Sequence, residues 1–443
     1  MSHAGTTPET VTPKQSRRRP GFDRRLEEIA AAVRAGLRLS RADGLRLYET
    51  PDIWTVCSLA DLVRRRLHGD AGYYNVNRHV NYSNICALSC KFCGFYRKKG
   101  EDGAYEYSLD QIRSEARQAA EAGATELHIV GGLHPWLPFE YYTDMMRVIR
   151  EAAPQIHIKA FTAVEIVHLA RIAGRGRDGA DGIRSVLRDL KESGLGSLPG
   201  GGAEVFDDRV HDAAFKGKIR AAQWLDVHRT AHELGLNTNA TILYGHLEQR
   251  EDRIHHMMLL RQEQDRALRN WAAEQGIPPQ RTARHDGGED DAVVLYGPDE
   301  AYPAERLPSA PTMASGFFQA IIPLPFFPDG SALEHLPAPT GLENLRTLAI
   351  ARLMLDNFPH VKAFWIMQSL HMAQFMLQNG ADDIDGTVVW YDITRLDGPS
   401  THQEAGVWDL QQAIREAGFR PIERDTLYRP IQRHGNEWRV APR

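Results

Sequence analysis

Between residues 77 and about 392 the chain alternates short apolar, β-branched runs with longer amphipathic stretches. No other feature restricts the possible folds as much. Alternating strands and helices imply parallel strands joined by right-handed crossovers, because two parallel neighbours need a long connection that returns over the sheet. Strand runs fall at 79–85, 126–130, 156–161, 196–198, 237–243, 317–322, 361–366 and 387–389. Helical periodicity falls between them, at 109–122, 139–152, 164–173, 182–192, 221–235, 250–264, 341–357 and 369–378. Ser108, with Gln111 three residues later, gives the first of these helices a capping-box start. Eight strand–helix units close on themselves, so the expectation is an α/β fold of the (β/α)8 TIM-barrel type.

The flanks read differently. Residues 1–20 are polar and are expected to be disordered. Residues 21–76 form a helical extension, with Leu26, Ile29, Val33 and Leu37 at helical spacing, a start at Ser40, and a third helix over 52–67. Residues 393–443 form a C-terminal extension. Within the barrel, residues 267–314 show no period and read as a flexible insertion.

Composition excludes several classes. The net charge of −5 argues against general nucleic-acid binding. No apolar run approaches the roughly 20 residues of a membrane span, and the first ten residues carry no secretory core. Four cysteines in 443 residues suit a reduced, cytoplasmic setting.

Three of those four cysteines fall within eight residues, in Cys86-Ala-Leu-Ser-Cys90-Lys-Phe-Cys93, directly after the first strand run. A structural zinc site wants four ligands, commonly paired C-x2-C knuckles, and only one such pair exists. Three thiolates on one loop can hold an iron–sulfur cluster with one iron left open. Cys57 lies in a helical stretch and reads as a core thiol. In a barrel the chemistry gathers at the C-terminal strand ends, which hold the other candidates. Gly131 and Gly132 permit close backbone approach, and His134 follows on the same rim. Lys159 sits inside an apolar strand and needs an anion, either a ligand carboxylate or Glu165 or Glu204. Thr162 and Glu165 close that strand and are candidate cofactor contacts. Gly201 and Gly202 expose backbone N–H groups, and Glu204 can accept from ribose hydroxyls. Asn239, Thr241, Tyr244 and His246 offer polar groups after the fifth strand.

The C-x3-C-x2-C spacing, with Phe92 before the last cysteine, resembles the radical S-adenosylmethionine (SAM) enzymes. The longer phrases at 131–135, 156–166, 194–206, 228–246 and 340–366 resemble the aminofutalosine synthases of menaquinone biosynthesis. That likeness extends over about 50–265 and 316–392, and leaves the 267–314 insertion and the N-terminal tail without counterparts. The resemblance implies a [4Fe-4S] cluster on Cys86, Cys90 and Cys93 and SAM consumed as co-substrate. It also implies Phe92 near the adenine, the Gly131–Gly132 turn at the methionine amino group, and an external electron donor of the flavodoxin or ferredoxin type. The implied reaction adds the adenosyl group to 3-[(1-carboxyvinyl)oxy]benzoate, with rearrangement and loss of a carboxyl group. For this dicarboxylate aryl enol ether, His134, Lys159, Tyr244 and His246 are the candidate contacts. The alternatives are the cyclising radical SAM enzyme of the same pathway, a hydrogen-abstracting enzyme such as a deazaflavin-forming one, and a non-catalytic iron–sulfur or zinc module.

Overall fold

The computed structural model describes residues 23–276, 280–292, 315–388 and 404–442. The expected tail at 1–20 lies outside the described residues. The chain opens with helices α1 (Leu26–Arg34), α2 (Arg41–Glu49) and α3 (Ile53–His68). Ser40 and Asp43 close a reciprocal cap on α2, and the Asp52 side chain accepts from the Thr55 N–H at the start of α3. Strands β1 (Ala71–Asn75) and β2 (Asn77–Val80) follow. Then come α4 (Leu109–Glu121), β3 (Glu126–Ile129), α5 (Phe139–Ala152), β4 (His157–Ala160), α6 (Ala163–Ile172), α7 (Gly179–Ser193) and β5 (Ser197–Leu198). The next run is α8 (Asp208–Ala214), α9 (Ala221–Glu233), β6 (Asn237–Tyr244) and α10 (Arg250–Glu274). A hairpin, β7 (Gln280–Ala283) and β8 (Glu289–Ala292), precedes β9 (Phe318–Pro325), α11 (Gly341–Met354) and β10 (His360–Val361). The chain ends through α12 (Trp365–Gln368), α13 (Leu370–Leu377), β11 (Asp383–Gly386), α14 (Val407–Glu416), β12 (Arg420–Glu423), β13 (Ile431–His434) and β14 (Glu437–Val440).

Seven parallel strands make one curled sheet in the order β10-β9-β6-β5-β4-β3-β2, with the helices outside. The capping box expected at Ser108 and Gln111 starts α4. The ends of the sheet depart from the expectation. The first strand stops at Val80, and Ser83 and Ile85 make only isolated bridges to Glu106 and Arg97 as the chain turns into the cysteine loop. The seventh strand shrinks to two residues because helix α12 starts at Trp365. The eighth strand is Asp383–Gly386, with Thr387 and Val388 past its end and residue 389 outside the described residues. It meets the main sheet through the single bridge Lys362–Asp383 and pairs instead with β1. On its other side β1 pairs with β12, so both flanking extensions contribute strands to the far end of the barrel.

The 267–314 segment also carries more structure than its missing period implied. Helix α10 continues through Glu274, and the β7–β8 hairpin docks on the N-terminal helices. Arg38 explains the docking. Its buried guanidinium meets Asp265 at 2.7 Å, Asp356 at 2.9 Å and Asp290 at 3.3 Å, and its backbone N–H donates to Ala283. Residues 277–279 and 293–314 of that segment lie outside the described residues.

Candidate active site

The three sulfurs of the cysteine loop share one cavity of about 500 Å³ inside the curled sheet. The loop is fixed from several directions. Cys86 N–H donates to Arg97 O, Ala87 N–H to Leu133 O, and Lys91 N–H to Ala214 O. The Lys98 ammonium donates to the carbonyls of Cys86 and Leu88 at 2.9 and 2.8 Å, so it staples the loop rather than facing the sulfurs. Cys86 Sγ accepts from the Leu88 and Leu133 N–H groups, both at 3.4 Å, which fixes where that sulfur points. Burial pushes the Cys90 thiol up to about 11 and also raises Cys93. A metal must therefore displace those protons as it binds. Cys57 is buried in α3 and does not line the cavity, as read from the sequence. The donor set fits an iron–sulfur cluster held at three points, with no fourth cysteine at the cavity among the described residues.

The glycine segments line this cavity for reasons visible in the backbone. A Cβ on Gly132 would lie 2.3 Å from Ile85 O, and one on Gly131 would lie 2.6 Å from the Tyr82 ring. Only glycine lets this turn press against the strand that leads into the cysteine loop, and the contact puts the Leu133 N–H on Cys86. Glu165 holds the same turn. Its carboxylate accepts from Gly131 N–H at 3.0 Å, Tyr82 OH at 2.9 Å, Thr162 N–H at 2.7 Å and Thr162 Oγ1 at 2.8 Å. Burial pushes its pKa up to about 7. Thr162 and Glu165 therefore act on the cavity as a reciprocal cap of α6. Gly201 and Gly202 line the cavity, Gly202 at a φ of 86°. Glu204, a non-glycine residue at a φ of 48°, turns its carboxylate onto the Lys218 ammonium.

Lys218 escaped the sequence reading. It is half-buried, lies 5.1 Å over the Phe92 ring, and lines the cavity beside Cys90 and Cys93. Burial acts against its charge, but Glu204 and the two thiols hold its pKa above the ordinary value. No period or motif marks the loop around it. Lys362 could have been found by the rule that singled out Lys159, since it stands in the apolar run Val361-Lys362-Ala363-Phe364.

Three expected site residues face elsewhere. His134 does not line the cavity. Its Nδ1 accepts from the Trp136 and Leu137 N–H groups at 3.3 and 3.1 Å, which places the proton on Nε2, donating to Glu106 at 2.7 Å. It holds the turn after the glycines. Tyr244 follows the two-residue alternation of β6: Asn239, Thr241 and Leu243 line the cavity, while Tyr244 points outward and donates to Asn344 at 2.9 Å. His246 sits beyond the strand, with Nε2 3.1 Å from Leu243 O and Nδ1 3.5 Å from Glu248. Lys159 does line the cavity, but its anion is Glu126 at 2.8 Å, not Glu165 or Glu204.

Comparisons with known proteins agree with this geometry. Residues 80–260 match the radical SAM superfamily model, and residues 314–436 match the CofH/MqnC C-terminal region. The aminodeoxyfutalosine synthase of Thermus thermophilus is 39% identical, over 93% of this chain and 97% of its own length. That of Streptomyces coelicolor is 38% identical over 94% and 95%. A 5-amino-6-(D-ribitylamino)uracil–L-tyrosine 4-hydroxyphenyl transferase of Archaeoglobus fulgidus is 33% identical over 84% and 92%. Among solved structures, methylornithine synthase superposes with a TM-score of 0.60 at 14% identity, covering 89% of this chain and 97% of that one; this is a likeness of fold. Among the described residues no helix is long and apolar enough to cross a membrane. The chain belongs to the aminodeoxyfutalosine synthase family of the radical SAM superfamily.

Proposed function

We propose that the chain joins the 5′-deoxyadenosyl group of SAM to 3-[(1-carboxyvinyl)oxy]benzoate, forming 6-amino-6-deoxyfutalosine with loss of a carboxyl group, for menaquinone synthesis in the cytoplasm. The observation that carries this reading is near-full-length likeness to two aminodeoxyfutalosine synthases, together with three cysteines on one interior cavity. When bound, a [4Fe-4S] cluster on Cys86, Cys90 and Cys93 supplies the electron that splits SAM, drawn from an external flavodoxin- or ferredoxin-type donor.

The chain supplies position and dryness. The Gly131–Gly132 turn, braced by Glu165, receives the methionine end of SAM. Glu204, steadied by Lys218, accepts from ribose hydroxyls, and Phe92 covers the adenine. Leu88, Leu243, Ile322, Leu324 and Phe364 wall the cavity and exclude water from the reacting carbon.

A substrate panel tests the reading. Reduced, reconstituted protein is given SAM with the enolpyruvyl benzoate, or with 5-amino-6-(D-ribitylamino)uracil and tyrosine. Consumption of the aryl enol ether alone is expected. Consumption of the uracil and tyrosine pair would move the chain to the transferase activity named for its archaeal relative.

A further inference from the structure

Deeper along the strands than the glycine turn, the cavity carries charge that neither the cysteine loop nor Glu204 uses. His79, His128 and Lys159 stand side by side in register across β2, β3 and β4. The two imidazoles stack at 4.5 Å. Lys362 and Asp385 continue this layer from the other edge, and all five residues line the cavity.

The two lysines are partnered differently. Lys159 and Glu126 form a compact buried pair at 2.8 Å. Lys362 is 3% exposed, and among the described residues its ammonium makes one long contact, 3.2 Å to Asp385 Oδ1. An ammonium has three donors, and burying one met only once is costly. Asp385 is itself held in a left-handed conformation, at a φ of 73°, which a non-glycine residue adopts only under constraint. Burial lowers Lys159 below its ordinary pKa, and the Lys362 charge acts in the same direction. An anion beside the two ammoniums relieves that repulsion and meets the open donors. Val130, Ile322 and Leu324 give the same space an apolar wall of the kind an aromatic ring fills.

We propose that Lys362 binds the ring carboxylate of the aryl enol-ether substrate, so that the vinyl carbon points toward the cysteine loop. The proposal rests on the function proposed above. The reacting carbon must meet the adenosyl group near the cysteines, and the ring carboxylate is the opposite end of the molecule. It therefore reaches the deep layer, where Lys362 has donors to spare.

The test compares the enolpyruvyl benzoate with its ring carboxamide, on holoenzyme, in wild type and Lys362→Met. The KM for the benzoate is expected to rise about 10- to 100-fold in the variant, the range for a lost charge-assisted hydrogen bond. The KM for the carboxamide is expected to stay the same in both proteins. Iron content and the visible absorption of the cluster report that the site is intact. The double variant Lys362→Met/Asp385→Asn removes both charges and should fold even where the single variant does not. Its benzoate KM should rise in the same way. Equal loss for both substrates, or no loss for either, overturns the assignment. Equilibrium dialysis of the benzoate against unreduced holoenzyme separates this proposal from the one it rests on. Lys362-dependent binding without an adenosyl product would keep the subsite and overturn the function. Failure of the wild type to bind the benzoate would overturn both.

Discussion

Single residues in this chain divide by where the local backbone points them. Cys86, Cys90 and Cys93 meet at one cavity, whereas Cys57 packs inside α3. Alanine at any of the three loop positions is expected to abolish cluster assembly. Cys57→Ala should keep full iron content while lowering the melting temperature by a few degrees at most, since it removes one buried sulfur. Iron analysis with visible absorption checks both, and iron loss on Cys57→Ala would show a fourth ligand. Tyr244→Phe makes the complementary case. Its hydroxyl bonds Asn344 behind the sheet, so the change should cost about 1 kcal/mol of stability and leave kcat/KM within about two-fold. Chemical denaturation beside steady-state kinetics checks this, and a large kinetic loss would return Tyr244 to the cavity.

Elements were legible where period and caps agreed. The cap at Ser108 and the strands around Leu127, Ile158 and Ala240 could be read because buried parallel strands are short apolar runs bounded by helix starts. The ends of the sheet were not. Strand β1 and its partners β11 and β12 come from distant parts of the chain, and such pairing leaves no local period. The hairpin in the insertion is fixed by Arg38, some 250 residues away, so its own composition could not reveal it. The cysteines, the glycine turns and Glu204, singled out from the sequence, all line the cavity. His134, Tyr244 and His246 were misplaced because residue type says nothing about which face of a strand end a side chain takes. The insertion also yields a prediction. Its ends meet where Ser315 N–H donates to Glu274 at 3.0 Å. Replacing residues 277–314 with a short turn should therefore keep the barrel and its cluster. It should also cost a few degrees of melting temperature through loss of the Asp290 contact to Arg38. Calorimetry with iron analysis decides this, and loss of the cluster would make the insertion part of the site.

At the scale of the whole molecule, the seven-stranded sheet curls around one cavity. The cysteine loop stands at its C-terminal strand ends, and the Lys159–Lys362 layer lies deeper along the strands. The two extensions close the far end through β1 and β12, paired beside β11, where Arg424 meets Asp383 at 2.6 Å. The proposed arrangement seats SAM at the loop and the anionic aryl substrate below it, an order that adduct formation needs and hydrogen abstraction alone does not specify. The most direct test is to trace the adenosyl carbons. Reduced holoenzyme is incubated anaerobically with the enolpyruvyl benzoate and SAM labelled with ¹³C throughout its ribose, and the products are read by mass spectrometry. The expected product carries the adenine, all the labelled ribose carbons and the benzoate ring, with one carboxyl group lost. Label confined to free 5′-deoxyadenosine, with the aryl substrate altered but unlabelled, would contradict adduct formation.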